Sequence, residues 1–170
     1  MMKILLVSDT HNRTAVLEAL LEKHAHEVRL VCHMGDHAWD LLKFQQKYPS
    51  IIMVAVAGNC DYSPDLQSEI LLNVSACLDD PNAPSVKIMM THGHLHAVKR
   101  TLSNLVYNAK EKEIDAVFFG HTHMPFCEKI ENVLIMNPGS PNLPRGGTKA
   151  SYGIVEITPE GAIEGKLITL

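Results

Sequence analysis

The feature that most constrains the fold is a series of short apolar runs, each followed directly by polar residues. These runs, rich in Val, Ile, Leu, Met and Phe, lie at 4–7, 30–32, 51–57, 86–90 and 116–119. Short apolar runs bounded by polar residues are typical of buried strands. Segments with helical apolar spacing lie between several of them, at 14–23, 38–48 and 97–112. The alternation predicts an α/β fold with parallel strand pairing.

The last third of the chain has a different pattern. Apolar segments at 126–136, 151–157 and 163–169 are separated by turn residues such as Asn132, Pro138-Gly139 and Gly161. This spacing predicts hairpins that form a second or mixed sheet packed on the first. Earlier in the chain, we expect a further strand near 70–74 and a loop around 79–81.

Length and composition limit the classes of protein to consider. The chain has 170 residues with 46% hydrophobic and 20% charged residues, which predicts one globular domain spanning 1–170 and excludes disordered, collagen-like and coiled-coil proteins. No apolar run approaches the roughly 18 residues of a membrane span, and the run at 4–7 is too short for a signal peptide. We therefore expect no membrane partner.

Charge and cysteine content restrict the expected partners and the expected redox compartment. The net charge is −4 and no basic run is present, so duplex nucleic acid is not an expected partner. The four cysteines form no CxxC pair, which argues against a structural zinc site and is typical of reduced thiols in a cytoplasmic protein.

The polar residues that follow the runs are of the types that bind divalent metals. They lie at 8–11, 35–37, 58–61, 91–94 and 120–123, and the last two segments contain His-x-His pairs. The carboxyl ends of parallel strands converge on one crevice, so these side chains should meet there. A single Asp in such a position is usually a helix N-cap, but five strand ends together favour metal binding. The number of donors favours two metals and a bridging carboxylate.

The same residues resemble a known family. The motifs are Asp9-Thr-His11, Gly35-Asp36, Gly58-Asn59, His92-Gly-His94 and Gly120-His121-Thr-His123. In this order they resemble the calcineurin-like metallophosphoesterases. The short length and the Asn137-Pro-Gly-Ser140 loop are most similar to the small YfcE-type phosphodiesterases. The resemblance implies a four-layer α-β-β-α sandwich with mixed sheets and a dinuclear metal centre.

The resemblance also implies roles for individual residues. The first metal would take Asp9, His11 and His123, the second would take Asn59, His92 and His121, and Asp36 would bridge them. By the same resemblance, a hydroxide between the metals would attack phosphorus, and the chain is expected to be a metal-dependent phosphodiesterase. Asn59 would also donate a hydrogen bond to the phosphoryl group, and His94 would contact the substrate. Asp61 and His37 would orient ligands.

One position departs from the family pattern. Many members have His after the Gly-Asn pair, where it protonates the leaving group, and this chain has Cys60. A neutral thiol is a poorer acid than an imidazolium, so we expect a preference for leaving groups such as phenolates. A role as a small buried filler is the alternative for Cys60. Arg13 and Arg145 are candidate substrate contacts or solvated side chains, and Trp39 either lines the pocket or packs its helix.

Several alternatives stay open. The motifs do not separate a phosphodiesterase from a phosphomonoesterase or a nucleotide phosphohydrolase. A non-catalytic protein-binding scaffold is a further alternative, because a retromer subunit has this fold, although that homologue has lost metal-binding histidines. The mixed donors and the resemblance favour two Mn²⁺ ions, with Ni²⁺, Fe²⁺, Zn²⁺ or Mg²⁺ as alternatives. Relatives imply a homodimer or homotetramer acting on a small phosphoester.

Overall fold

The computed structural model describes residues 1–170 and contains two five-stranded sheets. In chain order the strands are β1 Met2–Val7, β2 Leu30–His33, β3 Ile52–Ala55, β4 Glu69–Asn73, β5 Lys87–Thr91, β6 Ala116–Phe118, β7 Pro125–Ile130, β8 Val133–Pro138, β9 Ser151–Ile157 and β10 Ile163–Thr169. The helices are α1 Thr14–His24, α2 Trp39–Leu42, α3 Val74–Cys77 and α4 Ser103–Glu111. None of these helices has the length and apolar character needed to cross a membrane.

Both sheets combine parallel and antiparallel pairs. The first has the order β10-β9-β1-β2-β3. In it, β1, β2 and β3 pair in parallel, and β9 pairs antiparallel with both β1 and β10. The second has the order β4-β5-β6-β8-β7, in which β5, β6 and β8 are parallel between two antiparallel edge strands. The predicted parallel core and terminal hairpins are both present, and each sheet contains three parallel strands.

Alternation of apolar side chains along the strands divides the interior into layers. In β1, Ile4 and Leu6 join a core of 19 residues between the sheets, and Leu5 and Val7 join a core of 12 residues beneath α1. Successive strand residues face opposite sides of a sheet, so a strand that is apolar at every position must be covered on both faces. A third core of 9 residues packs α4 on the second sheet. The predicted four-layer α-β-β-α sandwich is confirmed.

The helix predicted at 38–48 is largely wrong. Only Trp39–Leu42 is α-helical, and the chain continues through a series of turns. The side-chain amide of Gln45 donates to the Ile51 carbonyl and its oxygen accepts from the Met53 amide, which fixes this segment against the start of β3. Apolar spacing could not reveal this competing set of hydrogen bonds.

The helix predicted at 97–112 begins six residues later than expected. Ala97 has a left-handed backbone with φ of 55°, and the Thr101 hydroxyl accepts from the Ser103 amide where α4 begins. Helix α3 was not predicted, because 70–74 was interpreted only as a strand. Its signal was Asn73, whose side chain accepts from the Ser75 and Ala76 amides as an N-cap.

Candidate metal centre

Side chains from both sheets meet at the carboxyl ends of the parallel strands. Asp9 and His11 follow β1, Asp36 follows β2, and His123 follows β6. Each offers one ligand atom, and these four atoms all lie within 4.8 Å of one another. Carboxylate and imidazole donors at this spacing could hold one divalent ion.

Asp9 provides the strongest structural sign of a cation site. Its Oδ2 accepts from the Ser8 hydroxyl at 2.6 Å and from the His121 amide at 3.1 Å. Its Oδ1 is buried and has no hydrogen-bond partner, although the Nε2 of His123 lies 3.2 Å away. A buried carboxylate oxygen left without a donor is costly, and a divalent cation would satisfy it.

A second group of donors lies beside the first and contacts Asp36. The Nε2 of His92 lies 3.4 Å from Asp36 Oδ1, 3.2 Å from Asn59 Oδ1 and 3.2 Å from the Nδ1 of His121. The other Asp36 oxygen, Oδ2, lies 3.7 Å from the Nε2 of His11 in the first group. One carboxylate therefore faces both groups of donors, one oxygen to each.

Hydrogen bonds to backbone carbonyls orient two of the histidines. The Nδ1 of His92 donates to the Met34 carbonyl at 2.6 Å, and the Nδ1 of His123 donates to the Leu143 carbonyl at 2.7 Å. Each bond leaves an Nε2 lone pair directed into the site. This is the usual arrangement for histidines that bind metals.

The protonation states also fit a metal centre. Burial lowers the pKa of His11, His92 and His123, and it lowers that of His121 to about 4, so these rings are neutral at neutral pH. Burial raises the pKa of Asp9 to about 7, against the opposing effect of the Ser8 hydrogen bond. Neutral imidazoles have a lone pair free to bind a metal. A cation at the site would stabilise the ionised form of the Asp9 carboxylate, which burial disfavours.

Glycines allow the strand ends to approach this closely. A Cβ on Gly120 would lie 2.0 Å from Ser8 Oγ and 2.9 Å from Asp9 Oδ2. A Cβ on Gly58 would lie 2.3 Å from both the amide nitrogen and Oδ1 of Asp36. The Gly residues in the Gly-Asn and Gly-His motifs are thus needed for packing of one loop against the next.

Several candidate ligands have a strained backbone. Positive φ angles, which few residues other than Gly adopt, occur at Asp9 (55°), His11 (49°), Asp36 (56°), His121 (68°) and His123 (59°). Such angles cost about 1–3 kcal/mol each and persist where the surroundings impose them, often at functional sites. The helix N-cap interpretation of Asp9 and Asp36 is wrong, since the N-cap of α1 is Arg13 and that of α2 is Ala38.

Some supporting residues were missed by the sequence analysis. The Asp40 carboxylate accepts from the Thr10 hydroxyl at 2.7 Å and from the Asn12 amide at 2.8 Å, and Thr10 also contacts the buried His33. This network holds the turn that carries His11. The only sequence signal was a charged residue, Asp40, on an otherwise apolar segment.

The loop after β8 closes another side of the site. The Ser140 hydroxyl donates to the Asp9 carbonyl at 2.8 Å, and the Asn137 side chain donates to the Gly120 carbonyl at 2.8 Å. The side chain of Asn142 donates to the carbonyls of Thr10 and Arg13. In the sequence this loop was only a motif that supports the family resemblance. In the structure it joins the two sheets at the site.

The remaining candidates lie around the centre with different partners. His94 is half-buried beside His92, with ring centroids 5.4 Å apart, and its Nδ1 has no partner. The Cys60 amide donates to Asp36 Oδ1, and burial together with Asp36 raises the thiol pKa to about 11. Asp61 accepts from the Ala38 and Gly58 amides, so it joins two loops and makes no hydrogen bond to a candidate ligand side chain.

Four peripheral candidates differ in position. The His37 ring lies 5.5 Å from that of His11. Arg13 and Arg145 are both exposed, and the Arg145 amide donates to the His123 carbonyl. Trp39 is 51% exposed at the start of α2, so packing of its helix does not bury it.

Two sheets packed between helices, with His, Asp and Asn side chains at the strand ends, define a metallophosphoesterase. Residues 2–160 match the calcineurin-like phosphoesterase superfamily domain, and the chain belongs to this family. The probable metallophosphoesterase YsnB of Bacillus subtilis is 36% identical over 162 residues, covering 95% of this chain and 88% of that protein. Phosphodiesterase YfcE of Escherichia coli is 28% identical over 170 residues, covering 92% and 88%.

Solved structures agree on the fold. A predicted phosphoesterase from Streptococcus pneumoniae matches with a TM-score of 0.75 and 24% identity, covering 99% of this chain and 98% of that one. Vps29 of Entamoeba histolytica, solved in complex with zinc, matches with a TM-score of 0.70 and 17% identity, covering 99% of both chains. The family is metal-dependent, and in this chain Asp9, His11, Asp36 and His123 could together hold a metal ion.

Proposed function

We propose that the chain is a phosphodiesterase with a dinuclear metal centre. The observation that carries the proposal is Asp36, whose two carboxylate oxygens face separate groups of donors. The first ion would be held by Asp9, His11 and His123, and the second by Asn59, His92 and His121, with Asp36 shared. The mixed nitrogen and oxygen donors favour Mn²⁺, with Ni²⁺, Fe²⁺, Zn²⁺ or Mg²⁺ as alternatives.

Different residues of the site would have different roles in the reaction. Divalent ions bound here would supply Lewis acidity, which activates water near neutral pH and stabilises negative charge on phosphoryl oxygens. Asn59 is exposed, and its side-chain Nδ2 would donate to a phosphoryl oxygen. His94, with an unpartnered Nδ1 beside His92, would contact the substrate.

The leaving group would depart without strong acid catalysis. Cys60 occupies the place of the family's histidine, and its pKa of about 11 keeps the thiol neutral and weakly acidic at neutral pH. A general acid works best with a pKa near the operating pH. The chain would therefore favour substrates such as aryl phosphodiesters, whose phenolate products need little protonation. YfcE, a named phosphodiesterase among the relatives, supports this choice over a monoesterase.

The test measures hydrolysis of bis-p-nitrophenyl phosphate and p-nitrophenyl phosphate by metal-stripped protein, with and without Mn²⁺. The matched control is Asp36→Asn, which preserves the shape of the side chain and removes its charge. Mn²⁺-dependent diester hydrolysis that the variant lacks would support the proposal. Preference for the monoester would favour a phosphomonoesterase. Bound metal without turnover of either ester would favour a scaffold.

A further inference from the structure

Arg145 lies at the edge of the centre, and its side chain has no acidic partner. Seven of the 15 Lys and Arg side chains pair with carboxylates, as in Lys3–Glu27, Arg29–Asp80 and Lys112–Glu69. No ion pair includes Arg145, and its guanidinium is exposed to solvent. In a chain of net charge −4, an unpaired arginine beside a metal centre is available to an anion from outside.

The backbone of Arg145 is fixed against the site. Its amide donates to the carbonyl of His123 at 3.3 Å, and its carbonyl accepts from the amide and hydroxyl of Thr148. Gly146, with φ of 62°, packs on Met124: a Cβ there would lie 2.4 Å from the Met124 sulfur. An arginine held on an ordered loop loses less conformational entropy when it binds a ligand.

Two arginines lie on the side of the centre that His11 and His123 form. Arg145 is joined to His123 through its amide, and Arg13 follows His11 by two residues. Arg13 belongs to the same side, because the Asn142 side chain donates to the Arg13 carbonyl from the loop that carries Arg145. Arg13 also takes part in no ion pair and is exposed.

We propose that Arg145, assisted by Arg13, binds a second oxyanion of the substrate next to the scissile phosphate. This inference rests on the proposed phosphodiesterase function and names a substrate class for it: phosphodiesters that carry a carboxylate or a further phosphate on one arm. The single charge of a phosphodiester is already matched by the metals. The planar guanidinium fork suits carboxylate and phosphate groups, which it binds with two parallel hydrogen bonds.

The test compares three chromogenic diesters with Mn²⁺-loaded protein: the p-nitrophenyl esters of ethyl, carboxyethyl and phosphonoethyl phosphate. We expect kcat/KM for at least one anionic ester to exceed that for the ethyl ester about tenfold, which corresponds to ~1.4 kcal/mol. Comparing the two anionic esters identifies the preferred anion. Arg145→Gln should bring the ratio to about one through KM, and Arg145→Lys should keep part of it.

Lys149→Gln is the matched control. Lys149 is exposed on the same loop four residues later, so its loss changes the net charge by the same amount and should leave the ratio unchanged. Equal kcat/KM for all three esters in the unaltered protein would overturn the inference. So would an equal fall in kcat on all three esters in Arg145→Gln, because Arg145 would then act on the scissile phosphate.

A binding measurement separates this inference from the proposed function. Calorimetric titration of the Mn²⁺-loaded protein with 3-phosphonopropionate and with propylphosphonate needs no turnover. Tighter binding of the carboxylate-bearing compound, lost in Arg145→Gln and kept in Lys149→Gln, would support the second-anion site even if no ester is hydrolysed. Equal affinities, together with no preference for the phosphonoethyl ester, would refute it.

Discussion

Gly120 packs against Ser8 where the two sheets meet at the site, and Gly120→Ala tests this contact. The new Cβ would lie 2.0 Å from Ser8 Oγ, 1.4 Å short of the 3.4 Å at which ordinary contact begins. Ser8 can yield only by rotating its hydroxyl away from Asp9 Oδ2, to which it donates at 2.6 Å. The substitution therefore forces either a backbone shift or the loss of this bond.

The expected cost follows from these contacts. Overpacking of a filled interior costs about 1–3 kcal/mol, and losing a hydrogen bond to a charged group costs about 1.5–3 kcal/mol. We expect Gly120→Ala to lower the free energy of unfolding by roughly 3 kcal/mol. For a chain of this size that is a fall in Tm of about 6–12 °C. Metal affinity should fall as well, since Asp9 is displaced.

A double variant distinguishes this steric cause from a general effect of alanine. Ser8→Ala removes the oxygen that the Cβ would strike, so Ser8→Ala/Gly120→Ala should be at least ~1 kcal/mol more stable than Gly120→Ala alone. The assay is urea unfolding of the metal-free variants, followed by calorimetric titration with Mn²⁺. Additive losses in the double variant, or a change below about 0.5 kcal/mol in Gly120→Ala, would refute the reasoning.

Two further predictions concern Asp9 and Cys60. Burial raises the pKa of Asp9 from 3.8 to about 7, so in metal-free protein this group destabilises the fold increasingly as pH rises from about 4 to 7. Asp9→Asn should therefore melt at a higher temperature than the unaltered protein at pH 8 without metal, with the gap closing below pH 4; a lower Tm at pH 8 would contradict this. Cys60→His should raise the rate on alkyl phosphodiesters several-fold relative to aryl ones, because an imidazolium can protonate an alkoxide. Unchanged rates on both ester types, measured by product release with Mn²⁺ present, would show that position 60 supplies no proton.

The layered fold was predictable from the sequence because its signal is local. A strand segment that is apolar at every position, such as Ile4 to Val7 in β1, must be covered on both faces, and only a layered α/β arrangement provides this for several strands. Helix bounds were less predictable. The segment after Leu42 has helical spacing, yet it is not helical. The Gln45 side chain instead donates to the Ile51 carbonyl and accepts from the Met53 amide, at the start of β3. Such competition depends on where the neighbouring strand β3 lies, which the apolar spacing of the segment does not indicate.

The candidate ligands were also predictable, because their types and their positions after the strands are both written in the sequence. Asp9, Asp36 and His92 each follow a parallel strand, and such strand ends share one edge of a sheet. Only the tertiary structure decided how the two sheets bring these ends together. The approach of His123 to Asp9, the Ser8–Gly120 contact and the hydrogen bond from Asn142 to the Thr10 carbonyl all join segments more than 100 residues apart. Local spacing carries no information about such distant pairs, since their distance depends on the packing of whole layers.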